Sequence, residues 1–422
     1  MGHLVAVQLP APALAAEVTA RREAGDAVVP LDPALPPARR AELLARLRPH
    51  RLVTPEGARD LADPAPCDDD LAWVIATSGS GGPPKLVELP EAAVEAATQA
   101  SLARLGAQPG WRWACALPLH HVAGLLVLTR ARACGTEPVL VDPGDAEALA
   151  RALTGVEATA LVPTQLRRLL DAAEAEAEEA EAPEAEADRA QAPARQALAS
   201  LRALLLGGAR ADAGLLARAR AHPAPVVTTY GMTETCGGVV YDGVPLQGVE
   251  ATVDEAARIW LRGPTLLRRY RGDPTATAQT LREGWLATAD AGRRDARGRL
   301  EVTGRLDDVI VTGGENVSGE AVREALRAAP GVADAAVVGL PDPEWGKRVA
   351  AVVEASGRVD PDPEALRSAV AARLGRRAAP RSVRVVATLP RTGLGKVDAV
   401  RAAELLTDPD HDDPSPTDHR GG

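Results

Sequence analysis

Phenylalanine is absent from this 422-residue chain, and six tryptophans and three tyrosines are its only aromatic side chains. Such rings usually dominate core burial, so their scarcity calls for cores built from Leu, Val and Ala. Lysine is almost missing too: of 48 basic residues only Lys85, Lys347 and Lys396 are lysines, and Asn316 is the single asparagine. In a chain rich in Ala, Arg, Gly and Pro this points to a coding bias in which arginine has displaced lysine. Each retained lysine is therefore a candidate for a place that needs a compact, flexible point charge. The four cysteines (Cys67, Cys115, Cys134, Cys236) form no C-x-x-C pair and have no histidine at ligand spacing. They read as isolated reduced thiols, and no zinc is expected. No apolar run reaches the roughly 20 residues of a membrane helix, and the start lacks a basic leader region, so a cytoplasmic protein is expected.

An excess of charge of one sign is scarce outside a single stretch. The net charge is −10, but residues 171–190 hold nine Asp/Glu against one Arg, which leaves −2 for everything else. A nearly neutral body implies neither nucleic acid nor an anionic membrane as partner. Residues 171–197 alternate Ala and Glu, offer no apolar face, and read as a solvated helix or disordered insertion.

What is present is a glycine-rich turn in LAWVIATSGSGGPPKLVEL (71–89). A buried strand leads into it, and Lys85 starts a second short strand behind it. Gly79, Gly81 and Gly82 allow close backbone approach, and Thr77, Ser78 and Ser80 add hydroxyl donors, so the turn suits an anion. It is not a Walker A loop, because prolines precede the lysine and strand follows it. By itself it is equally compatible with a plain hairpin turn.

Around it the chain alternates strands and helices, the pattern of a parallel sheet with helices on its faces. A helix is expected from Pro90 to Leu105, with strands at Trp113 to Leu117, Pro138 to Val141, Ala158 to Val162, Ala203 to Leu206 and Val226 to Thr229. Residues 1–70 read as one early strand, a short helix near Ala41 to Leu47 and proline-rich connections. The expected fold is α/β. Residues 1–304 form a large domain of parallel α/β sheets with a small β-rich subdomain from about residue 239. Residues 305–406 form a small mobile α+β domain, and 407–422 a disordered tail.

Five stretches recur in order: TSGSGGPPK (77–85), LPLHHVAG (117–124), TTYGMTET (228–235), GWLATAD with GRLDDVIVTGGEN (284–290 and 304–316), and PRTGLGK (390–396). Together they resemble the acyl- and aryl-CoA synthetases of the adenylate-forming superfamily. LPLHHVAGLLVL and TYGMTETCGGVVYDGVPL look most like the 2-succinylbenzoate–CoA ligases of menaquinone biosynthesis. The resemblance implies that a carboxylate attacks the α-phosphate of ATP, with Mg²⁺ assisting, and that coenzyme A then takes the acyl group.

It also implies roles. Ser78, Gly79, Ser80, Gly81 and Gly82, with Thr77, would hold the β- and γ-phosphates; Lys85 would supplement them or only brace the turn. Glu234 would bind Mg²⁺, Thr233 the α-phosphate, and Tyr230-Gly231 and Gly207-Gly208 the adenine. Asp290 would bind the ribose hydroxyls, although the superfamily's TGD is TAD here, with Ala289. Arg305 would reach ribose or phosphate. Asp307 would be the hinge of a small domain that presents Lys396 for adenylation and Gly313-Gly314 for pantetheine. His121 would border the acyl pocket or cap the helix behind it. The expected substrate is a small aromatic carboxylate. Another acyl-CoA ligase, a stand-alone adenylation module loading a carrier protein, and a homodimer all remain open.

Overall fold

The computed structural model describes residues 2–77, 84–180, 192–211, 213–306, 308–312, 315–357, 361–391 and 397–407. It divides into two compact units, Met1–Thr303 and Gly304–Gly422.

The first unit holds two seven-stranded sheets and a smaller antiparallel one. In the first, Leu4–Val7, Ala27–Pro30, Arg51–Thr54 and Leu71–Thr77 run parallel. Lys85–Pro90 returns antiparallel beside Leu71–Thr77, and the two-residue strand Arg269–Tyr270 closes that edge. In the second sheet Val226–Met232, Ala203–Leu206, Ala158–Leu161, Trp113–Cys115 and Val139–Leu140 run parallel in that order. Gly237–Tyr241 and Val244–Pro245 add antiparallel strands at its other edge. The third sheet is built on Glu250–Val253, Arg258–Arg262 and Trp285–Arg294.

One core ties the three sheets, with Trp73, Trp113 and Ile259 all fully buried in it. Aliphatics fill most of the core, as the composition requires, but two of the six tryptophans and Tyr241 are spent at its centre. The helix Glu91–Leu105 follows Pro90, ends at Gly106 with φ +64°, and buries Val94, Ala97, Ser101 and Leu102 on one face. The helix Val122–Ala133 is buried along nearly its whole length.

Two expectations need correction. Residues 1–70 contain, besides the helix Pro37–Leu47, a second helix Ala11–Glu23 and three strands after the first. Only Leu14 and Val18 of the additional helix are buried, too few to print an apolar stripe on an alanine-rich segment. Residues 171–197, moreover, are not without an apolar face. The helix Pro163–Ala180 carries the row Leu166, Leu169, Leu170, Ala173 into the core, and Pro193–Ser200 adds Ala194 and Ala197 to the same cluster. Arg218 bonds Asp171 at 2.6 Å and Glu174 at 2.8 Å, while the Glu176 carboxylate accepts the N–H groups of Ala194 and Arg195 at 3.0 Å each. Residues 181–191, between the two helices, lie outside the described residues, as does the tail from 408. Thr407 ends the helix Ala399–Thr407.

The second unit is α+β. Glu315–Ser318, Val309–Thr312, Gly346–Ala355 and Val332–Asp342 form an antiparallel sheet, and Ser382–Val386 pairs parallel with Gly346–Ala355. The helices Gly319–Arg327 and Pro363–Leu374 cover its core of Val322, Leu326, Val353 and Val370.

Candidate active site

Strand ends of the first unit's sheets set out the candidate residues. Thr77 ends its strand and pairs with Lys85 across the base of the glycine turn, its hydroxyl 3.4 Å from the Lys85 carbonyl. Ser78, Gly79, Ser80, Gly81 and Gly82 lie outside the described residues. The Lys85 ammonium rests over the Tyr270 ring, 4.6 Å from its centroid. That ring stands at the sheet edge because Tyr270 pairs with Val87. Its hydroxyl donates to Glu234 Oε1 at 2.9 Å. Burial, reinforced by the Glu234 charge, pushes the phenol well above its ordinary pKa, so it stays a donor.

Glu234 sits in the single 3₁₀ turn Thr233–Thr235. Fully buried Thr235 anchors that turn, donating to the Gly237 carbonyl at 2.7 Å and accepting the Met232 N–H at 2.9 Å. Four residues upstream, the Tyr230 hydroxyl donates to Asp290 Oδ2 at 2.8 Å. Asp290 comes from the third sheet, where the Thr288 hydroxyl accepts the Asp290 N–H at 3.1 Å. Segment 230–234 thus meets a tyrosine–carboxylate bond at either end, giving Tyr230 to Asp290 at one and offering Glu234 to Tyr270 at the other.

Glycines let the backbone pass here. A Cβ on Gly231 would stand 2.0 Å from the Gly237 carbonyl oxygen, at the point where the strand register shifts. A Cβ on Gly207 would meet Thr229 Oγ1 at 2.3 Å, and Gly208 turns away at φ +80° beside Val162. His121 is the N-cap residue just before the helix Val122–Ala133, in extended backbone, and its side chain makes no capping bond. That helix presses Leu126 towards Gly237. The His120 and His121 rings lie 4.3 Å apart. Burial lowers the His120 pKa, with Asp32 acting weakly the other way, so that ring is neutral at pH 7.

Arg305 belongs to the second unit and is exposed. Asp307, Gly313, Gly314 and Lys396 lie outside the described residues. Sequence reasoning missed Tyr270, although it is one of only three tyrosines. It also missed an aromatic–cation cluster in the second unit. There Trp345 has Arg381 over its ring at 4.3 Å and Arg377 at 5.5 Å, and its buried indole N–H has no partner among the described residues. Lys347 is its near neighbour in sequence, and Gly346 between them pairs with Thr312, just before Gly313.

The profile of the AMP-binding enzymes matches residues 55–271, and that of their C-terminal domain matches residues 321–396. The chain belongs to the AMP-binding enzymes. It is an adenylate-forming enzyme of the AMP-forming carboxylate–CoA ligase class, with the large N-terminal and small C-terminal domains of that superfamily. Among its relatives, a protein of Mycobacterium tuberculosis named "Probable 2-succinylbenzoate–CoA ligase" is 42% identical over 78% of this chain and 83% of its own. A feruloyl-CoA synthase of an Amycolatopsis species is 33% identical over 85% of this chain and 75% of its own. Among solved structures, the o-succinylbenzoate CoA synthetase of Bacillus subtilis with its acyl-adenylate intermediate superposes at a TM-score of 0.80. It is 26% identical over 97% of this AMP-binding enzyme and 88% of that chain. The amide bond synthetase of Marinactinospora thermotolerans superposes at 0.79, with 30% identity over 96% and 90%.

Proposed function

We propose that this enzyme adenylates 2-succinylbenzoate with ATP and passes the acyl group to coenzyme A, releasing pyrophosphate and then AMP. The observation that carries the proposal is segment 230–234, in which Glu234 follows four residues after the Tyr230 that bonds Asp290, in a chain 42% identical to a protein named for this reaction.

In this reading Asp290 receives the ribose hydroxyls, and Tyr230, fixed by its bond to Asp290, lies against adenine. The 78–82 turn with Thr77 and Lys85 takes the β- and γ-phosphates, and Thr233 the α-phosphate. Glu234 fits a magnesium ion. One oxygen is fixed by Tyr270, the other has no hydrogen-bond partner among the described residues, and no cluster of three acids, histidines or cysteines exists among them. A single carboxylate suits an ion that takes its remaining ligands from phosphates and water. When bound, the ion screens charge between the phosphates as pyrophosphate leaves.

Lys396 meets the α-phosphate while negative charge builds there, and His121 borders the acyl pocket. After a swing about Asp307, Gly313-Gly314 admits pantetheine. Trp345 with Arg377, Arg381 and Lys347 suits the nucleotide end of coenzyme A, because guanidinium groups and an indole face match phosphates and a base.

The test is pyrophosphate release with 2-succinylbenzoate, ferulate, benzoate and a fatty acid, each with and without coenzyme A. 2-Succinylbenzoate is expected to react best and to yield the thioester. Preference for another acid overturns the substrate, and acylation of a carrier protein instead of coenzyme A overturns the acceptor.

A further inference from the structure

We infer that Tyr270 is a positioning residue for adenylation, one that fixes Glu234 for the metal and keeps Lys85 from neutralising it. The inference rests on the reading of Glu234 as the magnesium ligand. Three observations carry it. The ring is only 3% exposed and locked in place. The Thr277 hydroxyl accepts its N–H at 2.9 Å, and its neighbours Arg269 and Arg271 both reach the buried Glu88 carboxylate, at 2.7 and 2.8 Å. From that fixed seat the hydroxyl donates to one Glu234 oxygen at 2.9 Å and leaves the other for a cation. The face of the same ring holds the Lys85 ammonium at 4.6 Å from its centroid.

Tyr270 therefore stands between a cation and an anion that would otherwise pair. A direct Lys85–Glu234 ion pair would occupy the carboxylate wanted by the metal and draw the ammonium away from the phosphates. Among the described residues no such pair exists; the ammonium lies over the ring and the carboxylate takes the hydroxyl. A hydrogen bond to the oxygen of a metal-binding carboxylate that does not face the metal also fixes its rotamer and direction.

Tyr270→Phe keeps the ring, and hence the Lys85 contact, and removes only the hydroxyl. Mn²⁺ binding, read by electron paramagnetic resonance with a non-hydrolysable ATP analogue present, should weaken about tenfold or more, the usual scale for losing such a partner. The Mg²⁺ concentration that half-saturates ATP–pyrophosphate exchange should rise in parallel. Thioester formation from supplied acyl-adenylate should be unchanged, and so should the unfolding midpoint. Adding Tyr270→Phe to Glu234→Gln should bring no further loss, because the tyrosine acts through that carboxylate. Unchanged Mn²⁺ affinity, or equal losses in both half-reactions, would overturn the assignment and leave Tyr270 as packing. Unaltered Mn²⁺ binding in Glu234→Gln alone would instead remove the metal reading of Glu234 on which the assignment stands.

Discussion

Gly231→Ala offers a geometric test of the candidate site. The new methyl would be built 2.0 Å from the Gly237 carbonyl oxygen and 2.7 Å from its carbonyl carbon, all backbone that cannot rotate away. Ordinary contact begins at 3.4 Å, so the strands Val226–Met232 and Gly237–Tyr241 must part locally by about 1.4 Å. The same Gly237 oxygen accepts the Thr235 hydroxyl, so moving it unseats the turn carrying Glu234. At the other end the shift strains the 2.8 Å bond from Tyr230 to Asp290. A displacement of about 1 Å in a positioning group can cost roughly 10²-fold in rate, and forced overpacking costs about 1–3 kcal/mol. ATP–pyrophosphate exchange should therefore fall about 10²-fold, and chemical denaturation should show a loss of about 1–3 kcal/mol. The control is Gly155→Ala, where the nearest atom to a Cβ is the end of a flexible arginine at 3.9 Å; it should change neither. Exchange within threefold of wild type for Gly231→Ala, at unchanged stability, would refute the reasoning.

Further outcomes separate the half-reactions and probe the fold. Lys396→Ala should lose adenylation by about 10² or more while converting supplied acyl-adenylate to thioester at the wild-type rate, and Gly314→Leu should do the reverse; single-turnover assays of each step decide. Glu176→Ala, which uncaps the helix Pro193–Ser200, should cost about 1 kcal/mol in urea denaturation, and deleting 171–197 should abolish cooperative unfolding, because Ala173, Ala194 and Ala197 leave the core with it. Below about pH 6.5 stability should fall: burial, then His3 and Arg271, hold His50 below its ordinary value of 6.5, and its Nδ1 accepts the Leu4 N–H at 3.1 Å only when neutral. A depressed histidine contributes fully above its unfolded pKa and loses that contribution as the pH drops through it towards the folded value. Urea midpoints between pH 7 and 5 should show this slope, and His50→Asn should flatten it.

Where the chain carries both an apolar run and punctuation, the structure could be read from sequence. Ala203–Leu206 lies at its expected bounds, and the helix ending at Gly106 follows from that residue's left-handed backbone. Arg269–Tyr270 was illegible because its charged neighbours face partners nearly two hundred residues away in sequence. The acidic stretch misled because alanine buries too little surface to announce a core face, and a local pattern cannot report what Leu166 and Leu204 already provide. Tyr230, Glu234 and Asp290 were singled out through motif resemblance. That Tyr230 touches Asp290, and that Tyr270 touches Glu234, depends on sheet edges that no single motif contains.

The edge strand Arg269–Tyr270 also bears on the order in which the molecule can be made. Glu88 is fully buried, and its cations Arg269 and Arg271 are about 180 residues further along the chain. Until the ribosome has delivered them, the strand Lys85–Pro90 has an open edge, and burying Glu88 would leave its charge unpaired. The first sheet is thereby held unfinished while the whole second sheet, from Trp113 to Pro245, is synthesised beside it. A nascent chain released before Arg271 would carry an open strand edge and an unneutralised carboxylate. Those are features by which a cell's proteases and chaperones tell a fragment from a finished enzyme.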